Sequence, residues 1–282
     1  MEYKDSKWAN DIIKLQNSDG SWGNNFHSLS IPISKQPLTT EQALRRLKIL
    51  GYTIDDKPIK KAVKYLENCF IGKINIPEKP EKLHNWKIFT ELMFSTWIKI
   101  FTIENKLIME NIINWSTIIN ASFENGSYDN NKYTSTYESI FGIKPKGGRL
   151  VDFVTFYQIS LLSNSLDKSI EPMFFDYILK HNCGIYYIYG KNIIKTPEIF
   201  KSKETNGYIS AIEILSEYKN CKVQLDFVVK WLKMNIVEEN KWDMGKESKD
   251  GINFPLSKSW IKEEDRIKDC TYRIKKLIEK IK

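Results

Sequence analysis

The sequence predicts an all-α protein, a single domain of about five helical hairpins. Three observations lead there. Apolar residues recur at three and four spacing through most of the chain. A Gly-aromatic turn, QNSDGSWG (Gln16 to Gly23), recurs in weakened form as ENGSYDNN, HNCGIYYIYG and EENKWDMG. The turn aromatics Trp22, Tyr128, Tyr186 and Trp242 lie 106, 58 and 56 residues apart, so the first interval holds two units. A degraded copy, ENCFIGKIN, with Gly72, stands where that spacing places the missing one.

Each turn is preceded by a helix-period segment carrying a second aromatic. These segments are KWANDIIKLQ, IKKAVKYLENC, MENIINWSTIIN, PMFFDYILKH and LDFVVKWLK, with Trp8, Tyr65, Trp115, Tyr177 and Trp231. A second helical segment follows each turn. In order these are TTEQALRRLKILGY, LHNWKIFTELMFSTWIKIF, VDFVTFYQISLLSNS, GYISAIEILSEY and EEDRIKDCTYRIKKLIEKI. Thr39 or Thr40 is a good N-cap for the first of these, and Gly51 closes it. Pro58 stands where the next helix starts. The units run roughly over 1–51, 52–103, 104–165, 166–219 and 220–282. One hairpin cannot bury its own apolar faces, so hairpins stack, and a turn aromatic can wedge between them while glycine permits the bend. Gln16 and Asp19 are placed to satisfy exposed helix-end groups.

At 282 residues the chain can bury a substantial single core, and 41% hydrophobic with 28% charged residues is ordinary for a globular protein. Net charge is +8, but lysines are scattered among Asp and Glu, which describes a solvated surface rather than a nucleic-acid face. The four cysteines, Cys69, Cys183, Cys221 and Cys270, form no CxxC pair and suggest no disulfide framework. The start MEYKDSKWANDIIKLQ has no apolar stretch of a secretion signal, and no run approaches a membrane span. A reduced, cytoplasmic protein is the expectation.

QNSDGSWG resembles the QW motif of the terpenoid cyclases and protein prenyltransferases. Leu50 to Glu67, LGYTIDDKPIKKAVKYLE, is similar to their inter-repeat connection. The resemblance implies an α/α toroid, with inner and outer helical rings around a central cavity. It reports architecture rather than chemistry. The DxDD motif of class II cyclases does not occur, and Asp55-Asp56 does not extend into the DDxxD of class I synthases. GGRLVDFVTFYQISLL (Gly147 to Leu162) resembles the inner helix on which prenyltransferases hold zinc. Asp152 matches the ligand Asp, but Val154 stands in the Cys position, and His27, His84 and His181 miss the later inner segments. No metal or other cofactor is therefore expected.

The C-terminal block, KWDMGKESKDGINFPLSKSWIKEEDRIKDCTYRIKK, resembles that of bacterial prenyltransferase-like proteins whose activity is unassigned. On a helix, Arg266, Asp269 or Cys270, and Arg273 share one face. Two readings are open: an anion-binding arrangement, or an ion-pair ladder closing the last helix onto the first. Cys270 reads as an inert core thiol. The candidate ligand-binding residues are Arg149, Asp152, Trp260, Arg266, Asp269 and Arg273, expected at the mouth of an aromatic-lined cavity. The expected ligand is small and apolar, isoprenoid-like or anionic-headed, with no nucleic acid involved. Two rival functions use the same fold. One is a non-catalytic interaction scaffold. The other is a carbohydrate-active toroid pairing two of Glu41, Glu91, Asp152 and Asp269.

Overall fold

The computed structural model describes residues 3–27, 38–78, 80, 85–102, 104–146, 153–257 and 259–282. Among them are eleven α-helices and no β-strand. The first helices of the five expected pairs are α1 (Lys7–Lys14), α3 (Lys57–Phe70), α5 (Met109–Phe123), α8 (Glu171–Lys180) and α10 (Asp226–Met234). The second helices are α2 (Thr40–Ile49), α4 (Trp86–Phe101), α7 (Phe156–Leu162), α9 (Lys203–Leu215) and α11 (Glu263–Ile281). The remaining helix, α6 (Asn130–Phe141), falls between the third turn and α7, where no helix is expected.

Local chemistry sets these elements. Thr39 and Gln42 form a capping box at the start of α2. Asp129 accepts from the amides of Asn131 and Lys132 at the start of α6, and Gly142 ends that helix in the left-handed region. α6 carries Asn, Lys, Ser and Thr with a weak apolar period. It packs on α5 through buried Tyr133 and Tyr137, one turn apart, and Tyr137 meets Trp115 edge-on at 5.9 Å. α7 is shorter than its segment implies, because residues 153–155 are not helical.

The first turn shows why its residues are there. The buried Trp22 donates Nε1–H to the Ile12 carbonyl at 2.8 Å, and its amide donates to Thr40 Oγ1 at 2.9 Å. Trp242 repeats this pattern: Nε1–H to the Leu232 carbonyl at 2.7 Å and its amide to Thr271 Oγ1 at 3.0 Å. Gln16 does not cap its own helix; it donates to the Pro58 carbonyl in the first turn of α3, tying one pair to the next. Gly20 has a φ of +101°, and a Cβ there would stand 2.4 Å from the Lys61 carbonyl oxygen of α3, so only glycine fits. Tyr128 and Tyr186 do not share the tryptophan geometry. Both are half-buried; Tyr128 donates its hydroxyl to Asn130, and the Tyr186 backbone pairs with Val154 and Phe156.

The two sets of helices differ in what they face. All five second helices contribute to the lining of one cavity, and none of α1, α3, α5, α6, α8 or α10 does. The first described residue meets the last helix: Tyr3 packs edge-on against Tyr272 of α11 at 4.9 Å. Arg46 of α2 donates to the carbonyls of Ile252 and Pro255 just before α11. Among the described residues no helix is long and apolar enough to cross a membrane.

Candidate functional site

The cavity measures about 840 Å³. Helical periodicity builds its polar side. Glu41, Arg45 and Lys48 of α2 lie one face apart at four and three spacing. Asn206, Ser210 and Glu213 of α9 repeat that spacing, with Glu217 one turn on, and Arg273, Lys276 and Lys280 of α11 face them. The other side is apolar: Trp97 and Ile100 of α4, Phe156 of α7, and Tyr187 and Ile188 from the loop before α9.

Where the two sides meet, Glu41 Oε1 accepts from Arg45 at 3.0 Å, Trp97 Nε1 at 3.2 Å and the Tyr157 hydroxyl at 3.1 Å. Burial, and then the Glu41 charge, push the Tyr157 pKa well above its ordinary value, so Tyr157 stays a donor. The Arg45 guanidinium lies 4.1 Å from the Phe156 ring centroid and 5.7 Å from that of Trp97. Glu41 and the aromatic wall thus fix a cation at the cavity surface.

A second charged group joins three elements. Glu217 Oε1 lies 2.5 Å from Lys280 Nζ and 3.5 Å from Lys48 Nζ. Burial lowers the Lys48 pKa; Glu217 and Glu213 oppose that, and Lys280 adds to it. Burial also works to raise the Glu217 pKa, but the two ammonium charges win and lower it.

Of the residues expected at the mouth, Arg149 and Asp152 lie outside the described residues. Arg273 lines the cavity and is saturated: it grips Glu213 through Nε and Nη2, both at 2.7 Å, and donates to Asn206 and Ser210. Arg266 is elsewhere. It is seven residues from Arg273, about 10 Å along the helix axis, and there it meets Asp243 instead of the cavity. Its Nε donates to Asp243 Oδ1 at 2.6 Å and its Nη2 to Oδ2 at 2.9 Å. Asp269 pairs with neither arginine. Its Oδ2 accepts from the amides of Leu256 and Ser257, the Ser257 hydroxyl and Trp260 Nε1, so Asp269 and Trp260 pin the segment before α11. Cys270 is buried, which pushes its thiol up to about 12.

Of the carboxylates considered for sugar chemistry, Glu41 alone of those described lines the cavity, and its oxygens are committed as above. Glu91 lies outside the lining, 3.9 Å from Lys87, and burial raises its pKa. Among the described residues no group of three His, Cys, Asp or Glu side chains could hold a metal ion. The sequence reading missed Arg45, Lys48, Lys276 and Lys280. Their signal was present: polar residues at four and three spacing on helices whose other faces are apolar. No family model, curated protein or solved structure matches the chain.

Proposed function

We propose that the chain is an α/α toroid of the kind its first turn resembles, and that its central cavity binds a small apolar, isoprenoid-like molecule. The observation that carries this reading is the cavity itself, lined by the second helix of every pair and by no first helix. Its volume of about 840 Å³ lies within the range of small-molecule sites, and its aromatic wall suits an unsaturated hydrocarbon. An open cavity favours ligand binding over a scaffold role, in which Phe and Trp side chains would fill that space. Seven lysine and arginine side chains line it against five carboxylates, which favours a neutral or anionic ligand over a cationic one.

The test is direct. Native mass spectrometry of protein taken from cells, without organic extraction, should show a retained small molecule. Citronellol, a ten-carbon isoprenoid alcohol, should displace an environment-sensitive dye from the purified protein. It should do so less well from Phe156→Ala, which removes the wall beneath Arg45. Displacement that is absent, or untouched by the substitution, would sink the reading.

A further inference from the structure

We propose that Lys48 is a carbonyl-capturing amine, which forms a reversible imine with an apolar aldehyde or ketone held in the cavity. This rests on the reading of the cavity as an apolar-ligand site and adds the ligand's functional group. The geometry has three parts. Lys48 stands on the cavity lining, and 45% of its side chain stays accessible there, so an incoming carbonyl can reach Nζ. It is not tightly paired: Glu217 lies 3.5 Å away and holds its shorter contact, 2.5 Å, to Lys280. Two ammonium groups therefore share one carboxylate oxygen, and a second cation beside a lysine is a known means of keeping an amine nucleophilic.

The charged groups facing Lys48 are Glu217, Lys280 and Glu213. Glu213 is gripped by Arg273, which spends much of its charge. Burial lowers the Lys48 pKa and Lys280 lowers it further, against the two carboxylates. The chemistry balances without any other reagent. The ammonium gives a proton to solvent water, which reaches the accessible Nζ, and the free amine's electron pair attacks the carbonyl carbon. The carbonyl oxygen takes up that proton to give a carbinolamine, and loss of one water molecule leaves the imine. Glu217 then stands as the counter-charge of the protonated imine. Glu41 and Arg45, already locked to Trp97, Tyr157 and Phe156, are left to shape the pocket.

The test uses the full chain with citronellal, the aldehyde partner of citronellol, and cyanoborohydride to reduce any imine to a stable amine. Peptide mapping at neutral pH should find Lys48 labelled several-fold faster than lysines outside the cavity, since the free-amine fraction increases as a pKa falls. Lys48→Arg keeps the charge and should lose that fast label. Lys280→Met removes the neighbouring cation, so the Lys48 pKa should rise, its labelling should slow several-fold, and the pH–rate profile should move to higher pH. Label spread evenly over the exposed lysines, or a profile unmoved in Lys280→Met, would overturn the proposal. Citronellol separates the two readings. If the alcohol binds but the aldehyde does not label Lys48 selectively, the amine proposal fails and the pocket reading stands. If Lys48 labels selectively yet the alcohol does not bind, the pocket reading fails and takes the held apolar ligand with it, leaving only a reactive amine.

Discussion

Leaving a buried indole N–H without an acceptor costs free energy, and Trp22 and Trp242 each find one ten residues upstream. Trp→Phe at either position keeps most of the ring and removes the donor. Each should cost about 1–3 kcal/mol, and by similar amounts, because the bonds are equivalent. Denaturant melts of the two variants would check this; one near-neutral and one severe would break the equivalence. The sequence showed the aromatic at all four turns. It could not show that Tyr128 and Tyr186 bond differently, since a phenol places its donor at the ring's end and an indole at its side. Asp243 is another single-residue case. Burial works to raise its pKa, but hydrogen bonds from Arg266, Lys201 and the Gly245 amide hold the carboxyl well below the usual range. Because the folded pKa is depressed, its stabilisation is complete above the unfolded value of about 3.9 and is lost as pH falls through and below it. Asp243→Asn should cost about 1–3 kcal/mol at neutral pH, because the buried Arg266 is left with the exposed Glu263 as its carboxylate partner. The gap to wild type should narrow in acid melts below about pH 4. A gap independent of pH would contradict the pairing.

At the scale of elements, ten of the eleven helices are legible in the sequence, most because one apolar face repeats and α4 and α7 because they are buried nearly all round. α6 is not, because its stability comes from two tyrosines, an Asp cap and contact with α5, which is tertiary information. The grouping of Arg266, Asp269 and Arg273 was legible as one helix face. Their partners were not, because Asp243 and Glu213 come from other segments and Asp269 turns to backbone amides. Short helices need their ends satisfied from outside, and α7 is an example. Lys99 of α4 donates to the Leu161 carbonyl at 2.5 Å, the Ser163 carbonyl at 2.8 Å and Ser165 Oγ at 2.8 Å. One ammonium thereby caps the C-terminal end of α7 and fastens it to α4. Lys99→Met keeps the aliphatic stem and strands those acceptors. It should cost about 1–3 kcal/mol. Hydrogen exchange should rise first in residues 156–165; a uniform rise across the chain would argue against a local cap.

At the scale of the molecule, the proposed ring makes a prediction that an open array of hairpins does not. In an open array each unit touches only its neighbours, so loss of a terminal helix is tolerated by the rest. Here α11 reaches elements from both ends of the chain. It holds α9 through Arg273, reaches Lys48 of α2 through the carboxylate of Glu217 that Lys280 shares, and meets the N-terminal Tyr3 through Tyr272. Asp269 also pins the segment whose carbonyls receive Arg46 of α2. Removing residues 263–282 would expose the buried faces of α9 and α10, strip Arg46 of an anchored acceptor segment and open the cavity on one side. The truncated chain should therefore lose its sharp thermal transition altogether rather than melt a few degrees earlier, and should no longer release dye to citronellol. Calorimetry of the truncated and full chains decides between the two. A truncated chain that still unfolds in one sharp step, with only α10 loosened by hydrogen exchange, would mean that the hairpins stack as an open array and that the cavity lies between neighbours rather than at the centre of a ring.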